Sequence, residues 1–474
     1  MAASLESIQS VLPQHGQEHL LAFYDELDSA QRAGLLEQIE QIDLGLIEGL
    51  IRAHIFAVPD LQLPGNLAPA GMLPTTPKDR ETIERYSLAR RRGEELIAAG
   101  KVAAMVVAGG DGTRLGVSGP KGCLSATPVK RKPLFQVFAE QVLATQRRYR
   151  AVVPWYVMTS PSNDAAVRAF FQADNNWGLK SSDVFFFAQG LMPAISLDGK
   201  ILLAEKDRIA WNPDGHGGSL TALRRCGALE DMARRGVEYI SYFQVDNPLV
   251  RCIDPLFIGL HEQAGAQVSA KALPKREPME KLGNFCLVDG KVMIIEYSDL
   301  PEDLARATRP DGTLLFSAGS IAIHVFSRRF VERLTSGGSC RLPFHRAIRK
   351  VPCLDESGRK LQPEKANAAK FEMFVFDALP LAEKVVLLQT LRAEEFSPVK
   401  NASGEDSLAT CLRDQVRRAA TWLEAAGVRA PRDASGQIAA SIEISPLLAL
   451  DAEELARKIK PGLSIRAGEE LYLE

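Results

Sequence analysis

The chain has 474 residues, with 57 Lys and Arg against 59 Asp and Glu, a formal net charge of −2. Apolar residues make up 46% and charged residues 24%, which excludes a largely disordered chain. Without a global positive field the chain is also a poor partner for nucleic acid. The longest apolar runs, such as residues 102–108, fall far short of the roughly 20 residues of a membrane helix. The opening MAASLESIQS has no basic-then-apolar secretory pattern, so a cytoplasmic protein of two or three domains, with no membrane partner, is expected.

The first hundred residues are predicted helical. Leu20, Leu21, Phe23, Tyr24 and Leu27 recur at helical spacing, as do Leu35, Leu36, Ile39 and Ile42, with Asp28 or Ser29 as N-cap. Prolines 59, 64, 69, 74 and 77 predict an extended linker without regular structure over 58–77. A further helix is expected over 79–99. The run 102–108 then reads as a strand buried on both faces. It is followed by a helix over 134–147, a strand over 155–158, a helix over 163–172 and a strand over 184–187. A helix over 220–235 and a strand over 239–245 complete the series. This alternation predicts an α/β, Rossmann-like core with a mixed, mostly parallel sheet. Asp198-Gly199 and Asp289-Gly290, each between apolar runs, predict hairpins. Beyond 396, one helix (412–426) and short β-like stretches such as 442–447 predict a small C-terminal α+β, β-rich domain. The expected partition is 1–99, helical with the Pro-rich linker; 100–395, the α/β catalytic domain; and 396–474.

The seven cysteines are scattered, no two closer than 13 residues, and form no CxxC pair. They read as reduced thiols rather than disulfides or zinc ligands. The seven histidines form no HExxH.

The strand over 102–108 leads into Gly109-Gly110-Asp111-Gly112-Thr113-Arg114-Leu115-Gly116, followed by Ser118-Gly119-Pro120-Lys121-Gly122. A glycine-dense turn at the carboxyl end of a buried strand is where open α/β sheets bind ligands. Glycines let backbone N–H groups close around a phosphate. The segment lacks the GxxxxGK[ST] of a Walker loop. Its spacing is GxGxxxG rather than GxGxxG, with no acidic residue about 20 positions later, which argues against a dinucleotide oxidoreductase. Instead it carries its own cations, Arg114 and Lys121, a combination suited to a nucleoside triphosphate attacked at phosphorus. Asp246 follows an apolar strand. From the residues alone it reads equally as a turn residue before Pro248 or as a Mg²⁺ ligand.

Residues 107–122, V-A-G-G-D-G-T-R-L-G followed by G-P-K-G, resemble the signature loop of the UDP-sugar pyrophosphorylases, nucleotidyltransferases that are UTP-dependent. The UDP-N-acetylhexosamine branch is the most similar. The resemblance continues through Phe187-Ala188-Gln189-Gly190-Leu191-Met192-Pro193-Ala194, Pro213-Asp214-Gly215-His216-Gly217-Gly218 and Val245-Asp246-Asn247. It extends to Ile295-Glu296-Tyr297-Ser298, Phe374-Val375-Phe376-Asp377 and Glu395-Phe396-Ser397-Pro398-Val399-Lys400-Asn401. It implies that UTP and a sugar 1-phosphate give a UDP-sugar and pyrophosphate.

By this resemblance Ala108, Gly109, Gly110, Gly112, Thr113, Gln189 and Gly215 contact UTP. His216, Asn247, Glu296 and Tyr297 lie at the sugar, and Asp246 holds Mg²⁺, for which Mn²⁺ can substitute. Arg114, Lys121, Lys370 and Lys400 are the catalytic cations. The attacking phosphate oxygen is already anionic, so positioning and charge neutralisation suffice and no general base is needed.

Three positions depart from the branch pattern. Asp111 replaces the usual polar amide. His216 stands where N-acetylhexosamine enzymes carry Asn and glucose-type relatives often carry His. Ser317-Ala318-Gly319-Ser320 stands where Asn-rich sequence is usual. N-acetylglucosamine 1-phosphate is the expected substrate, with glucose or galactose 1-phosphate open, because one sugar hydrogen bond can decide between them. A catalytically silent UDP-sugar-binding regulator on the same fold is the alternative of a different class.

Overall fold

The structure, a computed structural model, describes residues 4–57, 66–116, 119–337 and 342–474, with the side chain of Arg114 outside the described set. The chain forms two compact units. The first comprises Met1–Leu63, Gln189–Thr221 and Cys340–Asp377; the second comprises Pro64–Ala188, Ala222–Ser339 and Ala378–Glu474. This grouping differs from the linear partition read from the sequence. Residues 99 and 100 share a unit, and residues 396–474 belong with the glycine loop.

The second unit is built on a ten-stranded mixed sheet. Its strands are β1 (Leu67–Pro69), β2 (Val102–Val107), β3 (Trp155–Thr159), β4 (Val184–Ala188), β5 (Tyr239–Gln244), β6 (Val268–Pro274), β7 (Asn284–Val288), β8 (Lys291–Ile295), β9 (Ala318–Ser327) and β10 (Val385–Gln389). The run β5-β2-β3-β4 is parallel throughout. β9 then joins antiparallel to β5, β6 and β7, and β6 pairs in parallel with β10, so the sheet is mixed, as expected. Every residue of β2 and β3 is buried, as their unbroken apolar runs require. The chain leaves β2 toward β3 on one side and returns as β5 on the other. The carboxyl end of β2 is therefore the switch point at which such sheets bind ligands.

Several sequence expectations hold to within a residue or two, among them the helices Leu134–Tyr149 and Asp164–Ala173. Asp289 and Gly290, both at positive φ, make the two-residue turn between β7 and β8, the geometry of a type I′ hairpin. The helix expected over 220–235 is two, Gly218–Arg225 and Ala228–Arg234, broken where Gly227 adopts φ +77°. Residues 67–69 of the proline-rich stretch form a short strand against β7, because an edge strand tolerates the missing N–H of Pro69; residues 58–65 lie outside the described set. The C-terminal region has the helix Leu408–Ala425 and then two parallel strands, Ser441–Ile444 and Glu470–Leu473, with the helix Ala452–Lys458 between them.

In the first unit, Asp28 caps the helix Ser29–Glu40 in a capping box with Gln31. Residues 18–26 form short 3₁₀ turns rather than the expected helix. The chain turns at Gly16, φ +65°, and is extended at Leu27 and Asp28. Leu20, Leu35, Ile39 and Leu50 pack with Ile195, Ile201 and Phe371 in this unit's core. Among the described residues no helix is long and apolar enough to cross a membrane.

Two helices of the second unit, Arg80–Ala98 and Pro255–Gln263, touch backbone to backbone. A Cβ on Gly259 would lie 1.7 Å from the Ala89 carbonyl oxygen, and one on Gly93 would lie 1.8 Å from that of Pro255. A single added methyl must therefore part the helices. Gly259→Ala is expected to destabilise the fold by about 1–3 kcal/mol, the usual cost of overpacking, read as a lower midpoint in denaturant unfolding.

Candidate active site

The glycine loop begins where β2 ends. The Gly112 N–H donates to the Gly119 carbonyl at 2.9 Å and the Lys121 N–H to the Gly110 carbonyl at 3.1 Å. The loop thereby closes on itself and returns Lys121 to the strand end. A Cβ on Gly122 would lie 2.2 Å from the Phe135 ring, whereas one on Gly110 would meet nothing within 4 Å. Packing explains Gly122, while the space beside Gly110 is open to a ligand. Asn163 Nδ2 donates to the Gly109 carbonyl at 3.2 Å and to Asp111 Oδ1 at 3.3 Å. Asn163 thus gives the unexpected Asp111 a partner at the base of the loop. Thr113 is exposed on the 3₁₀ turn Gly112–Leu115, and Ala108 is buried. Arg114 belongs to the same turn, but its side chain lies outside the described residues.

β5 lies parallel beside β2 with Gln244 opposite Val107. Asp246 consequently emerges level with the loop, and Lys121 Nζ lies 3.5 Å from its Oδ2, both side chains only 17% exposed. The expected cation and the expected carboxylate, 125 positions apart, meet here. Asp246 is also tied to the segment carrying Lys400, for the Val399 N–H donates to the Asp246 carbonyl at 2.8 Å. Lys400 is exposed, its ammonium 5.5 Å from the Phe396 ring centroid. Asp406 lies nearby. Burial pushes its carboxyl up, against the pull of Lys400 and Arg392, and Asp246 adds to the rise.

Asn247, the expected sugar contact, is engaged within the protein. It is buried; its Nδ2 donates to the Glu395 carbonyl at 2.7 Å, and its Oδ1 accepts from the N–H groups of Ser397 and Leu249. The amide staples the segment before Lys400 to the end of β5. Glu296 and Tyr297 are half-buried just past β8, where the Glu296 carbonyl accepts from the Asp299 and Leu300 N–H groups.

In the first unit a second glycine loop, residues 213–218, packs on the end of the strand Ala368–Met373, which carries the half-buried Lys370. The Met373 N–H donates to the Asp214 carbonyl, and the Gly217 N–H to the Met373 carbonyl, both at 2.8 Å. Gly215, at φ +84°, would place a Cβ 2.4 Å from the Met373 oxygen, so only glycine fits. The Asp214 carboxylate is buried between Gly190 and Gly218, where a Cβ on either would come within 2.2 Å of it. Gln189, the expected uracil contact, is buried and directly precedes Gly190 in sequence. Asp214 was not singled out from the sequence, although the flanking glycines were the signal.

His216 stacks on Phe374, ring centroids 5.4 Å apart, and Phe374 stacks in turn on His345 at 4.5 Å. His345 Nε2 lies 2.7 Å from Asp377 Oδ2. The Val375 N–H donates to His216 Nδ1 at 3.1 Å, so the ring is neutral with its proton on Nε2. Burial, with the charge of His345 added, lowers its pKa to about 4.

No group of three His, Cys, Asp or Glu side chains that could hold a metal occurs among the described residues. A structural zinc or calcium cage is therefore absent there. One carboxylate at a strand end beside a cation does fit Mg²⁺, which takes one or two carboxylates together with substrate phosphates and water.

The sequence profile of the UTP–glucose-1-phosphate uridylyltransferase family matches residues 72–414. The chain is 39% identical to the human UDP-N-acetylhexosamine pyrophosphorylase-like protein 1, over 96% of this chain and 94% of that one. It is 33% identical to UDP-N-acetylglucosamine diphosphorylase 1 of Arabidopsis thaliana, over 94% and 89%. The uridine diphosphate N-acetylglucosamine pyrophosphorylase of Trypanosoma brucei superposes with a TM-score of 0.80 at 26% identity, covering 96% of this chain and 95% of that one. With its glycine loop and strand-end carboxylate in place, this chain belongs to the UTP–glucose-1-phosphate uridylyltransferase family.

Proposed function

We propose that the protein transfers a uridylyl group from UTP to N-acetylglucosamine 1-phosphate, giving UDP-N-acetylglucosamine and pyrophosphate. The observation that carries this reading is the Lys121–Asp246 pair, 3.5 Å apart at the switch point of the sheet. The likeness to a UDP-N-acetylglucosamine diphosphorylase and to a UDP-N-acetylhexosamine pyrophosphorylase-like protein supports this choice of sugar.

In the reaction an oxygen of the sugar phosphate attacks the α-phosphorus of UTP. The bond from that phosphorus to the β-phosphate bridging oxygen breaks, and pyrophosphate leaves with the electron pair. No proton need be removed, so the protein's work is to hold two polyanions in line and neutralise the charge they share. Lys121, with Arg114, serves the triphosphate and the departing pyrophosphate, and the open loop at Gly109, Gly110, Gly112 and Thr113 admits the phosphates. Lys370 and Lys400 supply further positive charge. Gln189 can both donate to and accept from the uracil edge, with Gly215 beside the nucleoside, and Glu296 and Tyr297 serve the sugar. Asp246 would hold Mg²⁺, or Mn²⁺ in its place, and the cation when bound supplies charge neutralisation.

A second reading, glucose or galactose 1-phosphate as acceptor, is favoured by His216. With Nδ1 occupied by the Val375 N–H, only Nε2–H of this ring is available to a ligand. An Asn at this position offers both a donor and an acceptor.

Pyrophosphate release with UTP, Mg²⁺ and a panel of sugar 1-phosphates tests the reading. Turnover is expected to be highest with the N-acetylglucosamine ester, and no turnover with any sugar would overturn the transferase reading. Lys121→Ala is expected to lower kcat about 10²–10³-fold, as loss of a transition-state charge partner does; an unchanged kcat removes Lys121 from the site. His216→Asn is expected to move the kcat/KM ratio toward N-acetylated sugar, and a fixed ratio excludes His216 as the selector.

The same substitution has a pH signature. The unfolded chain takes up a proton at His216 near pH 6.5, the folded chain only near 4. The stability this histidine contributes is whole above pH 6.5 and is lost as pH falls toward 4. Unfolding free energies measured across that window are expected to fall less steeply in His216→Asn than in the wild type.

A further inference from the structure

Lys271, on the interior strand β6, is 1% exposed. Its ammonium donates to both carboxylate oxygens of Glu395 at 2.5 and 2.7 Å and to Asp254 Oδ2 at 2.7 Å. Thr390 Oγ1 donates to Glu395 Oε2 at 2.5 Å, and Arg251 Nε stands 4.0 Å from Glu395 Oε1. A cation and two carboxylates are thus taken out of water inside the second unit. Desolvation makes such a cluster a poor source of stability, since a well-packed apolar set commonly holds a fold as well or better.

The chemistry of the cluster points elsewhere. Glu395 is the residue before the Phe396–Lys400 stretch, and its backbone is held as firmly as its side chain. Asn247 Nδ2 donates to the Glu395 carbonyl, the Ser397 N–H donates to Asn247 Oδ1 at 3.1 Å, and the Val399 N–H donates to the Asp246 carbonyl at 2.8 Å. Arg418 Nη1 donates to the Glu394 carbonyl at 3.0 Å and to the Leu249 carbonyl at 2.9 Å. Residues 394–399 are therefore laced to residues 246–249, and the side chain of Glu395 anchors the lacing in the sheet. Lys400, the next residue, projects from the end of this anchored stretch.

We propose that Lys271 and Glu395 are positioning residues for the uridylyl transfer: the buried ion cluster fixes the Phe396–Lys400 segment against the end of β5, so that Lys400 is presented together with Asp246. The proposal rests on the reading of Lys400 and Asp246 given above. It explains why a costly buried charge cluster sits immediately before a stretch that needs to be placed and has no secondary structure of its own.

The test compares the full-length wild type, Lys400→Ala, the apolar pair Lys271→Met with Glu395→Leu, and the triple variant. The apolar pair leaves the Asp254 carboxylate without its Lys271 partner, so it is expected to unfold cooperatively with a midpoint below the wild type, and to lose at least tenfold in kcat with KM for UTP within about threefold. Lys400→Ala is expected to cost far less in that background than in the wild type, because both changes act through one residue. Amide exchange over residues 396–401 is expected to quicken at least tenfold while the rest of the sheet is unchanged. A retained kcat, or a Lys400→Ala loss as large in both backgrounds, overturns the proposal. If the apolar pair fails to fold, Thr390→Val decides: it removes one hydrogen bond to Glu395, and unchanged exchange over 396–401 again overturns it. The exchange measurement needs no turnover, so it judges the anchoring even if the wild type is inactive with every sugar, a result that would retire the functional reading instead.

Discussion

Two parallel strands set the chemistry of this protein. β2 and β5 are hydrogen-bonded in a register that places Val107 opposite Gln244, so the residues that follow them leave the sheet at the same height. One strand is followed by a glycine loop that folds back to return Lys121, the other by Asp246. Slipping either strand by a single residue would turn its side chains to the opposite face and move the carboxylate away from the ammonium. β2 is buried along its whole length and β5 over its four central residues.

The rest of the second unit supports this meeting. Phe135 presses on Gly122, and Asn163 holds the root of the loop. Glu443, on the C-terminal strand Ser441–Ile444, accepts the N–H groups of Val129 and Lys130 just beyond the loop. On the other side Asn247, Glu395 and Lys271 hold the segment that leads to Lys400. In the first unit, close backbone contacts do similar work: Gly215 and Gly217 let the second glycine loop lie on Met373, and Asp214 fills the space that Gly190 and Gly218 leave open.

A net charge of −2 spread over the whole chain proves compatible with polyanionic substrates. Under the proposed function two small phosphates require only a local concentration of cations on otherwise balanced segments, whereas an extended nucleic acid needs a broad basic surface. The buried charges are arranged by the same economy of placement. Lys271 meets two carboxylates, and the pairing holds Asp254 below the usual carboxylate range although burial alone would raise it.

Much of the fold was legible along the chain because periodicity and turn chemistry are local. The unbroken apolar run 102–108, the helices near 134 and 164 and the Asp289-Gly290 hairpin follow from spacing and φ preferences. So did the identity of the loop, whose glycines and cations lie within 14 residues. The misreadings came where a local pattern was outweighed. Gly227 cut a helix that the apolar spacing had joined, and an edge position let residues 67–69 form a strand in spite of Pro69. Asn247 shows the limit most plainly. Its neighbour in sequence is a strand-end carboxylate, yet its amide serves residues 395 and 397, about 150 positions away. By itself the sequence determined most of the strand and helix types, the glycine-rich loop after β2 and the kinds of side chain the proposed chemistry needs. Only the tertiary structure decided which of them meet, how the chain divides into two interleaved units, and which polar groups hold others in place, because those outcomes depend on register and long-range packing that no local spacing encodes.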